Sequence, residues 1–330
     1  MDINQHLPCV DDFCVSRRQF LNRFGMGFGA LSLAGQLEPL MGGANAHAAA
    51  SLSPLFPREP QFTPKAKRVI HIFTQGGPSH LDTWDPKPGL ALHAGKDVSA
   101  IGGMPLPSPF KFPKMGKSGI EVSEIFPRIG ESIDDIAVIR SMTTDIPSHE
   151  FATLMMNTGS GQLVKPSVGS WVLYGLGSEN QNLPGFVALG GGLGGAANWR
   201  SAFLPGAYQG TLVSNVSTNP EKIIENLRSN YATIPQQRQQ LDLLKRLNEK
   251  HSETLNREEA LEARIQSFEM AFRMQTEATD AFDVSKESQS VRDMYGDSET
   301  ARRMLVARRL VERGVRFVQV WAGGWDHHTA

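Results

Sequence analysis

The stretch Val315–Trp321, VRFVQVW, constrains this chain more than any other. Its continuous apolar, β-branched character suits a strand covered on both faces, as strands of parallel sheets are. Directly before it stands SETARRMLVARRLVERG, residues 298–314, an amphipathic helix with Gly314 as its stop signal. After it, past Ala322, come Gly323, Gly324 and the cluster Asp326, His327, His328. The same alternation recurs along the chain. KRVIHIFTQGG, 67–77, reads as a buried strand, Val69 to Phe73, closed by a glycine-pair turn. IAVIRSM, 136–142, reads as a second buried strand, and GFVALGG, 185–191, as another. Helical patterns cover 121–135 (with a proline interruption), 148–159 (stopped by Gly159) and 167–177. Strands alternating with helices predict an α/β domain, a parallel sheet flanked by helices.

From Pro235 to about Ala278 the composition shifts to Gln, Glu, Lys, Arg and Leu. Leu241, Leu244 and Leu247, and later Leu261, Ile265 and Phe268, fall at helical spacing, and Asn256 with Glu259 resembles a capping box. This reads as a helical insertion of two helices with a solvated charged face. Residues 86–119, rich in Pro, Gly and Lys, read as an irregular excursion.

Four stretches could carry chemistry. In TQGGPSHLDTWDPKP, 74–88, Ser79, His80, Asp82 and Asp85 crowd the loop after the first strand. Ligands of parallel sheets bind beyond the carboxyl ends of the strands, and two carboxylates with an imidazole suit a divalent metal. The alternative is a turn in which Ser79 and Asp82 satisfy backbone donors. Asp326 and His328 follow the last strand at a spacing that lets both share one ion. Asp82 or Asp85 is therefore expected near Asp326 and His328, since both clusters leave one sheet edge. Ser148 and His149 open a helix, where backbone N–H groups favour an anion and a nucleophile fits. Ser148 is equally an ordinary N-cap residue. Finally, GGGLGG, 190–195, matches a dinucleotide fingerprint in spacing only. No helix clearly opens after it and no acid stands about 20 residues on, so it reads as a glycine-rich loop.

The other end of the chain speaks to its destination. Arg17 and Arg18 precede a weakly apolar, glycine-rich stretch, and Ala44-Asn45-Ala46 has the form of a signal-peptidase site. Together they read as a twin-arginine export signal over 1–46, followed by a Pro- and Ala-rich linker, 47–66, and the domain proper, 67–330. The partner during export is the twin-arginine translocase, and the destination is the periplasm or cell surface. Both cysteines, Cys9 and Cys14, precede the twin arginine, so cleavage leaves no thiol for a disulfide, a Cys-ligated zinc or a cysteine nucleophile. A net charge of −1 gives no electrostatic footprint for nucleic acid, and no membrane span is expected in the mature chain.

The twin-arginine leader, GGPSHLDTWDPKP, IRSMTTDIPSHEFATLMMNTGS, PSVGSWVLYGLGSENQNLPGFV, SFEMAFRMQ and ARRLVERGVRFVQVW with its following GGWDHH together resemble a bacterial family known as domain of unknown function 1501. The resemblance implies membership of the alkaline-phosphatase and sulfatase superfamily: a parallel sheet between helices with a two-metal site at the strand ends. On that resemblance Asp82 or Asp85 falls near the early metal ligand, Ser148 or His149 near the nucleophile, and Asp326 with His328 on one metal; His80 is a candidate ligand from its place beside the two carboxylates. The implied cofactors are divalent ions (Zn, Ca, Mg or Mn), and the implied substrate is a small-molecule or glycan ester of phosphate or sulfate. The implied function is that of an exported metal-dependent hydrolase; the alternative is a non-catalytic periplasmic or cell-surface binding protein on the same fold. The sulfatase motif C/S-x-P-x-R is absent, since the corresponding stretch here reads SHEFA. Family members continue well past GWDHH, so the resemblance implies an incomplete, C-terminally truncated sheet and a chain inactive alone. The leader itself is open to test: replacing Arg17 and Arg18 with lysine is expected to strand the precursor in the cytoplasm in a fractionation assay, and undiminished export would refute the assignment.

Overall fold

The computed structural model describes residues 54–214, 233–254 and 280–326. The leader, the proposed capping box at Asn256, and His327 and His328 lie outside them. In chain order the elements are β1 (Val69–Thr74), short helices α1 (His80–Thr83) and α2 (Gly89–Leu92), β2 (Lys114–Met115), β3 (Ile120–Glu121), α3 (Pro127–Glu131), α4 (His149–Thr158), α5 (Val168–Leu176), β4 (Phe186–Leu189), β5 (Thr211–Val213), α6 (Ile234–Thr254), α7 (Gln289–Tyr295), α8 (Glu299–Glu312) and β6 (Phe317–Ala322).

Four strands form one parallel sheet in the order β1-β6-β4-β5. β6 is central: Val318 stands opposite Ile70 on one side and Val187 on the other. All six of its residues are buried. A small antiparallel hairpin, β2 with β3, stands apart from this sheet.

Alternating residues of β6 face two different layers. Val318 and Val320 join Val187, Leu189 and Val213 in a core with Leu305, Val306, Ala307 and Leu310 of α8. The amphipathic spacing of α8 supplies that stripe, and Ser298 caps the helix by accepting from Ala301 N at 3.0 Å. The buried guanidinium of Arg309 ties α8 to the segment before α7, donating to Ala281 O and Asp280 O and pairing with Glu287. On the opposite face Phe317 and Trp321 pack with Phe186, Ala188, Leu173 of α5, Trp199 and Tyr208.

Several expectations from the sequence need correction. β1 forms where expected but is not buried: Val69, Ile70 and Ile72 are 40%, 38% and 50% exposed. Among the described residues β1 pairs only with β6, so its other edge has no covering strand. Residues 136–142 form no strand, and Ile139 and Met142 are 69% and 65% exposed. The apolar run there is irregular and turns at Arg140 and Ser141. The proline in 121–135 does not interrupt a helix; it starts α3 from the N1 position, where its missing N–H costs nothing. The middle of the presumed linker is docked: Leu55 is buried, Arg58 N donates to Leu176 O, and Ser178 N donates to Leu55 O, while residues 61–66 are exposed. β5 falls in a stretch to which the sequence assigned no element. α6 begins one residue before Pro235, and its Leu243 and Leu247 are exposed; the rest of the expected insertion lies outside the described residues. No helix among the described residues is long and apolar enough to cross a membrane.

Leu310 is fully buried between α8 and the sheet. Leu310→Ala is expected to cost about 2–5 kcal/mol in urea unfolding. A loss below about 1 kcal/mol would mean that α8 does not pack as described.

Candidate functional site

The parallel register of β1 and β6 brings their carboxyl ends side by side, with Thr74 opposite Ala322. Two hydrogen bonds extend the pairing into the loops: Gln75 N to Ala322 O at 2.8 Å and Trp325 N to Gln75 O at 3.2 Å. They fasten the turn after β1 to the turn after β6. Gly76 then passes so close to Asp326 that a β-carbon on it would lie 2.4 Å from Asp326 N, and its φ of +103° is itself a glycine conformation. The glycine pair after the first strand thus serves a close approach as well as a turn.

Asp326, placed by this latch, reaches the start of α4. Its Oδ1 lies 3.3 Å from His149 Nε2, and both side chains are about half exposed. Residues far apart in sequence thereby meet at the strand ends, an imidazole on a helix N-terminus and a carboxylate on a strand-end loop. Ser148 occupies the N-cap position with extended φ and ψ, yet its hydroxyl makes no capping bond. This is unlike Ser167, Ser288 and Ser298, whose side chains each accept from a first-turn N–H. The backbone reading of Ser148 as an N-cap is right, and its side chain is left uncommitted beside His149.

The acidic loop after β1 is arranged differently. His80 and Asp82 lie in α1, with Ser79 at its N-cap making no side-chain bond. Asp85 is buried, and both its oxygens face Lys87 Nζ, at 2.9 and 2.8 Å. The Lys87 hydrogen bond holds the Asp85 carboxyl below the usual carboxylate range, with burial opposing and the charges of Lys87, His80 and Arg140 assisting. Both loops leave the same sheet edge, where Gly76 approaches Asp326 and the His149 side chain pairs with it. No group of three or more His, Cys, Asp or Glu suited to a metal occurs among the described residues. His328 lies outside them. A cleft of about 430 Å³ lined by Lys114, Gly119, Ile120, Glu121, Val138 and Arg140 contains none of the nominated residues. We place the candidate site at His149 and Asp326, because strand ends, a helix N-terminus and complementary chemistry coincide there.

The 190–195 loop behaves as its sequence suggested: a 3-10 turn, Gly195–Trp199, follows it, and no α-helix opens there to face a pyrophosphate.

The family described as "Protein of unknown function (DUF1501)" matches residues 66–330, and the chain belongs to it. No curated protein and no solved structure matches the chain.

The Asp85–Lys87 pair makes a prediction about acid stability. A carboxyl depressed in the folded state contributes stability that is complete above its unfolded value, about 3.8, and is lost as pH falls through the folded value. Lys87→Met is therefore expected to raise the Asp85 pKa in a carboxyl NMR titration. It should also shrink the stability difference between about pH 6 and about pH 3 in urea melts. An unmoved Asp85 titration would show that Lys87 is not its governing partner.

Proposed function

We propose that this member of the DUF1501 family is an exported metal-dependent hydrolase of phosphate or sulfate esters, built on an alkaline-phosphatase-like sheet. One observation carries the reading: the 3.3 Å between His149 Nε2 and Asp326 Oδ1. Two donors on one tetrahedral zinc-like ion, each about 2.05 Å from it, stand about 3.3 Å apart. An imidazole nitrogen and a carboxylate oxygen are also an ordinary donor set for such an ion. His149 and Asp326 would hold it, with His328 as the third ligand of the reading and Asp82, Asp85 and His80 further candidates for a second ion. A divalent ion held there supplies Lewis acidity to an ester oxygen.

The chain's own groups then divide the work. The uncommitted Ser148 hydroxyl stands at the start of α4 as the nucleophile, or as the group that orients a water. First-turn N–H groups and the helix dipole favour the anionic group of a phosphate or sulfate ester at that point. The Gln75–Trp325 latch fixes Asp326 against the sheet, so the carboxylate approaches the imidazole from a rigid element. The twin-arginine leader supports delivery of a folded, metal-loaded protein to the periplasm or cell surface.

The test is calorimetric titration of ZnCl2 into metal-free protein, with aryl phosphate and aryl sulfate as substrates. His149→Ala and Asp326→Ala are each expected to weaken Zn2+ binding by at least about tenfold and to remove any aryl-ester turnover that the unaltered chain shows. Binding unchanged in both variants would end the metal reading and leave the fold as a binding scaffold.

A further inference from the structure

β6 is apolar except at its middle. Gln319 is 2% exposed, at the centre of the sheet, where an aliphatic residue would be expected. Its Nε2 donates to Asn157 Oδ1 of α4 at 2.5 Å. Asn157, also 2% exposed, donates from Nδ2 to Thr153 O at 2.8 Å and reaches Asn198 Oδ1 at 3.4 Å. Asn198, fully buried, donates from Nδ2 to Leu193 O at 2.7 Å and to Gly195 O at 3.1 Å. Three buried amides thus run from the central strand, through the last turn of α4, into the glycine-rich loop after β4.

That loop lies beside the site. A β-carbon on Gly192 would sit 2.2 Å from the Trp321 ring, so the loop lies directly on the end of β6. At Gly194 the corresponding position is 3.5 Å from Glu150 O, one residue from His149. Packing helix α4, loop and strand together needs no amide. Apolar side chains of similar shape achieve it at little or no loss of stability, and a partly satisfied polar chain is costly: Gln319 Oε1 has no partner. What amides add is direction, since each bond fixes one element at one distance from the next.

We infer that Gln319, Asn157 and Asn198 are positioning residues. They hold the 190–195 loop and helix α4 at a set place on β6, and so make the loop a third wall of the site at His149 and Asp326. The inference shares its location with the metal reading above, but one of its two readouts is independent of any metal.

The experiment compares Asn157→Leu, Gln319→Leu and Asn198→Ala with Leu310→Ala, a destabilising control on the opposite face of the sheet. Hydrogen exchange is measured by mass spectrometry well below melting, and ZnCl2 affinity by calorimetry. Gly190 N and Gly195 N are hydrogen-bonded in the folded chain, to Val213 O and Gly192 O, so loosening of the loop is visible there. The amide variants are expected to speed exchange across residues 190–199 and the start of α4 by about tenfold and to weaken Zn2+ binding about tenfold or more, with Leu310→Ala doing neither. The inference is overturned if Leu310→Ala reproduces the pattern, or if the amide variants leave exchange at 190–199 unchanged. Should Asn157→Leu not fold, Asn198→Ala decides alone. If the unaltered protein binds no Zn2+, the metal reading falls and the exchange data still decide the positioning.

Discussion

Parallel pairing of β6 with β1 on one side and β4 on the other is the constraint on which the rest depends. It carries Asp326 to the edge where β1 turns at Gly76, and it brings the loop after β4 to the same edge. No side-chain interaction in the candidate site would exist without it. The strand is suited to this place because all its side chains but Gln319 are apolar, as in strands covered on both faces.

The two layers on β6 differ in kind. Toward α8 the contacts are aliphatic: Val318 and Val320 against Leu305, Val306 and Leu310. Such packing is tolerant of small rearrangement, because branched aliphatic side chains interlock without directional bonds. Toward α4 and α5 the contacts are aromatic rings and amides. Trp321 lies 5.0 Å from Phe73 and 6.3 Å from Trp199 between ring centroids, and Gln319 lies in the same layer. The side that faces the candidate site is the side with directional bonds. Stability and placement are thus divided between the faces of one strand.

Much of this was legible in the residues. β6, α8, α4 and α5 were readable because long periodic patterns with clear stop signals leave little choice. Residues 136–142 and the burial of β1 were misread, since a short apolar run does not say whether a partner strand lies beside it. β5 was missed because three residues, Thr211–Val213, make too short a pattern to stand out. Ser148, His149 and Asp326 were nominated individually, but their grouping was not. The close approach of Gly76 to Asp326 was not legible, because glycine has no side chain to mark a contact. The Gln in the middle of FVQVW was a visible signal of the buried amide chain, and a polar residue at the centre of an apolar strand merits the question of what it bonds to. Asn157 and Asn198, distant in sequence, carried no such mark.

The register of β1 with β6 also bears on how the molecule forms. Val69 and Phe317 are partners although nearly the whole domain lies between them. Joining ends so far apart costs on the order of 5 kcal/mol in chain entropy by length scaling alone, before any of the sheet is gained. Contacts of this separation slow folding. During synthesis β1 emerges early and β6 late, so the first strand waits as an unpaired, apolar segment until its neighbour arrives. The candidate site has no early version: imidazole and carboxylate meet only when that long loop closes.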